Sequence, residues 1–174
     1  MNGPARPAFK LDSTVCSGCK ACQIACNDRH DLPAGRLYRR VYELAGGDWH
    51  SEDGAWRPDV FAYNLSISCN HCDEPICVEC CPSGAMHQRD DGIVLLNEEI
   101  CLGCGYCSWA CPYGSPQLRS GTGAMSKCDF CVEDLDAGKP PACVAACPVR
   151  ALDCVDLGAG DRQLPPAMEP LPDP

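Results

Sequence analysis

The stretch Cys101-Leu-Gly-Cys104-Gly-Tyr-Cys107-Ser-Trp-Ala-Cys111-Pro112 decides the fold of this 174-residue chain. Its spacing, C-x2-C-x2-C-x3-C-P, is a known run of ligands for [4Fe-4S] clusters. Thiolates are soft ligands that suit iron in clusters, and three of them spaced by two residues can wrap one face of a cluster. The C-x3-C step spans about one helical turn, and the proline then stops or redirects the chain. The stretch therefore predicts an iron–sulfur site.

Sixteen of the eighteen cysteines fall into four groups of this kind. The first and third groups share one spacing, whereas the second has a wider gap in its middle and the fourth contains an insertion. The groups are Cys16, Cys19, Cys22 and Cys26; Cys69, Cys72, Cys77 and Cys81; Cys101, Cys104, Cys107 and Cys111; and Cys128, Cys131, Cys143 and Cys147. Four groups predict four [4Fe-4S] clusters, with iron bound through these sixteen cysteines, and a role in electron transfer.

The second and third groups form an internal repeat. Between them, Ala85 to Arg89 and Ile93 to Leu96 flank an Asp90-Asp91-Gly92 turn, which predicts a β-hairpin. Loop, short helix, hairpin and second loop form the pattern of a two-cluster ferredoxin, in which the fourth cysteine of each run serves the other run's cluster. We expect the outer groups to pair in the same way. The predicted ligand sets are Cys16, Cys19, Cys22 and Cys147 (set 1); Cys26, Cys128, Cys131 and Cys143 (set 2); Cys69, Cys72, Cys77 and Cys111 (set 3); and Cys81, Cys101, Cys104 and Cys107 (set 4).

This pairing predicts an α+β fold of two ferredoxin-like two-cluster modules, one inserted in the other, with β-hairpin insertions and long loops. Residues 1–68 and 112–157 form the predicted outer module, and residues 69–111 form the central one. The proline-rich residues 158–174 are expected to be an extended tail.

The segment that connects the modules is rich in β-branched and aromatic residues at two places, Tyr38 to Leu44 and Val60 to Ile67, which predicts two strands. The intervening Ala45 to Pro58 is expected to be a loop, with its two tryptophans either packed against the module or part of a subunit contact. The insertion between Cys131 and Cys143 contains Gly138-Lys139-Pro140-Pro141 and is expected to be a surface loop.

Two cysteines lie outside the sets, Cys80 and Cys154. Cys80 offers a competing register with Cys77, but Cys81 matches the x3 spacing of the other groups and precedes Pro82. We therefore favour Cys81 as the ligand and interpret the two remaining thiols as small buried apolar groups. Because a cysteine is present at Cys104, set 4 is predicted to hold a [4Fe-4S] rather than a [3Fe-4S] cluster.

Zinc is the alternative metal for any C-x2-C pair. Structural zinc sites usually combine two such pairs across a spacer, and they need neither a third cysteine nor a C-x3-C-P ending. The fourfold occurrence of these features favours clusters. Every set already has four cysteines, so the four histidines are not needed as ligands; His71, between Cys69 and Cys72, is a candidate for tuning its cluster.

Composition narrows the function further. The formal net charge is −10, and each cluster with its thiolates adds roughly two negative charges, which argues against a nucleic-acid partner. Met1 to Asp12 lacks the apolar core of a signal peptide, and no stretch is long and apolar enough to span a membrane. Nucleotide-binding and hydrolase motifs are absent, so we expect no catalytic site in this chain and place catalysis on another subunit.

Several stretches resemble the iron–sulfur electron-transfer subunit of dimethyl sulfoxide reductase and related molybdopterin oxidoreductases. The most specific are Cys16 to Cys26, Tyr42 to Trp49 (YELAGGDW), Phe61 to Cys72 (FAYNLSISCNHC), Cys81 to His87 and Cys107 to Gly114. The resemblance implies a three-subunit complex with a catalytic subunit that holds bis-molybdopterin guanine dinucleotide and an integral-membrane anchor that oxidises menaquinol. By the same resemblance, set 4 lies nearest the anchor and set 1 faces the catalytic subunit.

The resemblance also implies a peripheral position on the periplasmic face of the bacterial inner membrane, after co-export with a catalytic subunit that has a twin-arginine signal. The cytoplasmic face is the alternative. Equivalent subunits of formate, polysulfide or tetrathionate molybdoenzymes share this cysteine pattern, as does a free polyferredoxin without an obligate partner.

Overall fold

The computed structural model describes residues 6–119 and 121–157. Within them, short helices alternate with two-stranded antiparallel sheets. The elements are β1 Pro7–Leu11, α1 Ala21–Arg29, β2 Arg40–Gly46, β3 Trp49–Glu52, β4 Ala55–Pro58, β5 Phe61–Ile67, α2 Ile76–Glu79, β6 Met86–Gln88, β7 Val94–Leu96, a 3-10 turn at Glu98–Ile100, α3 Tyr106–Ala110, β8 Gln117–Leu118, β9 Met125–Ser126, α4 Val132–Asp136, α5 Ala142–Ala145 and β10 Leu152–Asp156. The predicted mixture of helices and strands is confirmed.

The two ends of the described chain meet in one sheet. Strand β1 pairs antiparallel with β10, from Pro7 opposite Asp156 to Leu11 opposite Leu152. Helix α1 packs against α5 beside this sheet. Because α1 contains Cys22 and Cys26 while Cys143 lies in α5, the first and fourth cysteine groups come together although they are far apart in sequence.

The two central cysteine groups are also brought together by a pair of helices. Helix α2 packs against α3, and the hairpin of β6 and β7 lies between them in sequence. Met86 is opposite Leu96 and Gln88 is opposite Val94, with Gly92 in the turn at a φ of +86°. The hairpin predicted around Asp90-Asp91-Gly92 is confirmed, since glycine readily adopts this left-handed conformation.

The connecting segment confirms one prediction and corrects another. Strands β2 and β5 pair antiparallel where two strands were predicted. The predicted loop from Ala45 to Pro58 is wrong, because β3 and β4 form a second hairpin there. Its two-residue turn is Asp53-Gly54, and both residues have positive φ, as a type I′ turn requires. Trp49 and Trp56 remain 55% and 68% exposed, so packing against the module does not bury them.

The insertion between Cys131 and Cys143 is only partly the predicted loop. Its first half is the helix α4, which begins directly after Cys131. Glu133 and Asp134 in the first turn favour a helix start, because negative side chains interact well with the positive end of the helix dipole. Gly138, with a φ of +73°, follows the helix end in the conformation typical of a helix C-terminus.

Cysteine thiols and a few apolar side chains form two buried clusters. One joins α1, α5 and β10, and the other is centred on Met86, Val94, Cys107 and Met125. No helix in residues 6–119 or 121–157 is long and apolar enough to cross a membrane. The predicted tail at 158–174 lies outside the described residues.

Candidate iron–sulfur centres

Two cavities coincide with two of the predicted ligand sets. The first is lined by all four cysteines of set 1, together with Gly18, Val41 and Leu152. A Cβ at Gly18 would lie 2.3 Å from the Asn64 side chain, and its φ is +67°, so glycine suits the close packing of this loop. Asn64 also donates a hydrogen bond to the main-chain oxygen of Cys16, which fixes the start of the loop.

The second cavity is lined by all four cysteines of set 3. Pro75, Val94 and Pro116 contribute apolar walls, and Lys127 is the cation in the lining. The pKa of Cys77 is raised to about 11, mainly by burial; Lys127 lowers it, and the other thiols of set 3 contribute to the increase. Four soft donors around an apolar space match the requirements of an iron–sulfur cluster.

Set 4 converges around Cys107, which is buried and packs against Cys81 and Cys101. Burial raises the pKa of Cys107 to about 11, and the thiols of Cys80, Cys77, Cys81 and Cys101 contribute to the increase. Cys104 lies exposed in the preceding loop. The structure thus gathers three members of this set in one cluster and leaves the fourth accessible to solvent.

Main-chain hydrogen bonds reach two thiols of set 4. The N–H of Met86 donates to Cys81 Sγ and the N–H of Met125 donates to Cys101 Sγ, each at 3.4 Å. At Cys81, burial would raise the thiol pKa, but this bond and those involving Ser83 and Ala85 lower it overall. Such donors stabilise negative charge on sulfur, the form in which cysteine binds metal.

The thiols of set 2 are all buried. Burial raises the pKa of Cys26 to about 12, with further contributions from Cys143 and Cys131. Burial also raises the pKa of Cys131 to about 11. Grouped thiols with raised pKa values do not readily deprotonate by themselves. A bound metal cation compensates the negative charge of the thiolates and so favours deprotonation.

His30 lies at the edge of set 2. Its Nε2 is 3.7 Å from Cys131 Sγ and 3.5 Å from an Asp129 carboxylate oxygen. His30, Asp129 and Cys131 place one donor atom each within 4.8 Å of one another, which is an alternative metal grouping that sequence analysis missed. It would compete with set 2 for Cys131.

His71, the candidate tuning residue, is buried between Cys69 and Cys72. Its Nδ1 accepts the N–H of Val94 at 3.0 Å. Burial and the charge of Lys127 hold its pKa well below the ordinary value, so the ring is neutral. A neutral histidine held in this way shapes the loop without adding charge.

Two buried cations were not identified from the sequence, Arg39 and Lys127. Lys127 precedes Cys128 directly, and this proximity to a ligand is the only signal that the sequence offers for it. Arg39 stands next to Arg40 at the start of β2, with no motif around it.

The donor set fits [4Fe-4S] clusters. All eighteen cysteines are free of disulfides, and the two cavities are each lined by four of them.

We expect Cys80→Ala to leave the iron content unchanged. Cys80 ends α2 and its thiol donates weakly to the main-chain oxygen of Cys77 at 3.7 Å, whereas Cys81 accepts the Met86 N–H. Cys81→Ala is the matched variant and should lose one site. Iron analysis of both purified variants checks this; loss of iron from Cys80→Ala with retention in Cys81→Ala would assign the ligand to Cys80.

The short paired helices and grouped thiols define a ferredoxin-like iron–sulfur protein. Residues 60–157 match the family model of a 4Fe-4S dicluster domain. Over 145 residues, the sequence is 54% identical to the iron–sulfur subunit of anaerobic dimethyl sulfoxide reductase from Escherichia coli, covering 83% of this chain and 71% of the relative.

More distant relatives come from other respiratory enzymes. The formate dehydrogenase iron-sulfur subunit of Wolinella succinogenes is 37% identical over 174 residues, covering 87% of this chain and 82% of the relative. A subunit of the tetrathionate reductase of Salmonella typhimurium is 38% identical over 142 residues, covering 82% of this chain and 54% of the relative. This protein belongs to the family of iron–sulfur subunits that includes the one of dimethyl sulfoxide reductase, and its role is electron transfer.

Proposed function

We propose that this chain is the electron-transfer subunit of a three-subunit molybdoenzyme, with four [4Fe-4S] clusters that relay electrons from a quinol-oxidising membrane anchor to a molybdopterin catalytic subunit. The substrate class that we propose is dimethyl sulfoxide and other S- or N-oxides. What supports the proposal is the order of the four predicted ligand sets, because a thiol of each set acts electrostatically on a thiol of the next.

Interactions between thiols of different sets give this order. The pKa of Cys143 in set 2 is raised mainly by burial. Arg39 lowers this pKa, and the nearby thiol of Cys22 in set 1 raises it. Burial raises the pKa of Cys128 in set 2, and Cys69 of set 3 adds to it. Cys77 of set 3 in turn contributes to the raised pKa of Cys107 in set 4. The sets therefore follow one another as 1, 2, 3 and 4.

The two ends of the order reach the surface. Cys19 of set 1 and Cys104 of set 4 are exposed, as is Cys72 of set 3, whereas all thiols of set 2 are buried. Beside Cys104, Leu102 and Trp109 are 70% and 80% exposed. Large exposed apolar side chains next to a terminal site suit an apolar partner surface, which supports placing the membrane anchor at set 4 and the catalytic subunit at set 1.

Helix packing supports the nested modules. Helices α1 and α5 contact each other and hold thiols of the outer groups, while α2 and α3 do the same for the central groups. The antiparallel pair of β1 and β10 closes the outer module across the sequence. We accordingly retain residues 69–111 as the central module and 1–68 with 112–157 as the outer one.

A bound [4Fe-4S] cluster supplies one-electron transfer. The chain's own residues position the ligands, exclude water and supply N–H donors to sulfur, as Met86 and Met125 do in set 4. These residues set the reduction potential without taking part in bond formation. Catalysis is assigned to the partner.

One alternative is the equivalent subunit of a formate, polysulfide or tetrathionate enzyme. Another is a free polyferredoxin. The higher identity to the dimethyl sulfoxide reductase subunits, 54% against 37% and 38%, favours the S- or N-oxide reductase. We propose a peripheral position at the membrane, on the periplasmic face after co-export with the catalytic subunit.

Anaerobic affinity purification from host membranes tests the assignment. We expect two further chains to co-purify, one with molybdenum and one integral to the membrane, and we expect the complex to oxidise a menaquinol analogue when dimethyl sulfoxide is added. Purification as a single chain would support a free polyferredoxin. A complex that oxidises formate but does not reduce dimethyl sulfoxide would identify the alternative enzyme.

A further inference from the structure

Two cations lie inside the protein, Arg39 with 1% and Lys127 with 6% of its surface exposed. Arginine and lysine are almost never buried unless a negative group compensates them, because taking a charge out of water is costly. Within the described residues, neither side chain forms an ion pair with a carboxylate. Another source of negative charge is therefore needed.

Neutral groups take up the hydrogen bonds of Arg39. Its guanidinium donates to Ser66 Oγ at 3.1 Å and to Ser68 Oγ at 3.0 Å. It also lies over the ring of Phe9, 4.2 Å from the centroid, a favourable contact that leaves the charge uncompensated. Nε has no hydrogen-bond partner among the described residues.

The thiols around Arg39 belong to two ligand sets. Arg39 contacts two thiols of set 2: its side chain is hydrogen-bonded to the thiol of Cys143 and its main chain to that of Cys26. Ser66, which accepts from Arg39, is also hydrogen-bonded to Cys22 of set 1 at 3.4 Å. Arg39 is thus placed at the junction of sets 1 and 2.

Lys127 occupies the next junction. Its ammonium donates to the main-chain oxygens of Val94 and Cys128, both neutral acceptors. It lines the cavity of set 3 together with all four cysteines of that set. It is also the immediate neighbour of Cys128 of set 2 in the sequence. Lys127 therefore lies between sets 2 and 3.

We propose that Arg39 and Lys127 are charge-compensating residues that raise the reduction potentials of the clusters on either side of them, Arg39 at sets 1 and 2 and Lys127 at sets 2 and 3. Reduction adds one electron to a site that is already negative with its thiolates, so a nearby fixed cation stabilises the reduced form more than the oxidised one. No bond forms or breaks, and no proton is transferred. The inference rests on the ligand sets of the proposed function.

Set 4 provides an internal contrast. Arg39 and Lys127 are the buried cations of the described residues; neither belongs to the cluster of residues around Cys107, although Lys127 donates to Val94, a member of that cluster. The potential of set 4 should consequently be independent of Arg39 and should depend on Lys127 less than the potentials of sets 2 and 3 do. An electron entering at set 4 would then be drawn towards the middle of the chain, where both cations act.

The test compares Arg39→Gln and Lys127→Gln in the full chain, purified anaerobically in the complex in which it assembles. Glutamine retains hydrogen-bonding capacity and removes the charge. Arg57→Gln is the matched control, because Arg57 is an exposed arginine on β4 that pairs with Glu52. Redox titration followed by electron paramagnetic resonance measures each potential, with the set 4 signal assigned from Cys104→Ser.

We expect each glutamine variant to shift the oxidised–reduced equilibrium of two clusters at least tenfold towards the oxidised form, a fall of about 59 mV for a one-electron couple. The set 4 signal should not move in Arg39→Gln and should move less than those of sets 2 and 3 in Lys127→Gln, and Arg57→Gln should match the unmodified chain. Arg39→Lys and Lys127→Arg, which keep the charge, should recover most of each shift.

Unchanged potentials with full iron content in both glutamine variants would overturn the inference while leaving the proposed function intact. An iron content well below about sixteen atoms per unmodified chain, at four per cluster, would instead contradict the proposed function. If Arg39→Gln fails to retain clusters, retention by Arg39→Lys supports the requirement for charge, and loss from both variants shows that the shape of arginine matters rather than its charge.

Discussion

Replacing Cys104 with serine is expected to change a single cluster and to stop quinol-driven electron transfer. Cys104 is the exposed member of set 4, and serine offers a harder oxygen ligand that is less suited to iron in a cluster. The site keeps Cys81, Cys101 and Cys107, so we expect a [3Fe-4S] cluster with a changed potential. Because set 4 is proposed to be the entry point, activity with quinol should fall to background.

The other three sites should survive this substitution. Cys104 lines neither the cavity of set 1 nor that of set 3, and set 2 is buried elsewhere. Electron paramagnetic resonance should show one new signal and three unchanged ones, with Cys80→Ser as a matched thiol replacement near the same site. Loss of two or more clusters from a folded Cys104→Ser chain would show that the ligand assignment is wrong.

Gly103→Ala is expected to disrupt set 4 and destabilise the fold, whereas Gly105→Ala in the same loop should be mild. Both glycines have positive φ, so each substitution costs about 1–2 kcal/mol from the left-handed backbone alone. At Gly103 an added Cβ would also lie 2.0 Å from the main-chain oxygen of Gly123, while nothing lies within 4 Å of one at Gly105. Backbone cannot move aside as a flexible side chain can.

Thermal unfolding and iron content measured together on both glycine variants check this expectation. Gly103→Ala should lower the midpoint clearly more than Gly105→Ala and should lose the iron of one cluster. The loop is close to Met125, whose N–H reaches Cys101 Sγ, so displacement of Gly123 would disturb that bond as well. Equal midpoints and equal iron contents would refute the proposed clash.

Local signals in the sequence were sufficient for the features that depend on a few adjacent residues. The C-x3-C pairs coincide with short helices, and Asp90-Asp91-Gly92 forms the turn of a hairpin. The hairpin of β3 and β4 had an equally local signal in Asp53-Gly54, a dipeptide that favours type I′ turns, but the surrounding glycines and charges suggested a loop.

Features that depend on distant contacts were not predictable in the same way. The pairing of β1 with β10 joins residues at opposite ends of the described chain, and no short pattern marks either strand. Arg39 and Lys127 look like ordinary surface residues in the sequence, and only the fold shows that they are buried beside thiols. The cysteine spacing predicts which residues act as ligands, while the fold was needed to find what surrounds them.

The number of clusters decides whether this chain can relay electrons from end to end, and analysis of iron and acid-labile sulfide on the anaerobically purified protein measures that number. Four ligand sets predict about sixteen iron and about sixteen sulfide per chain, at four of each per cluster. About eight of each would show that only one pair of sets is occupied and would contradict the account. Zinc at about four per chain without sulfide would contradict electron transfer altogether.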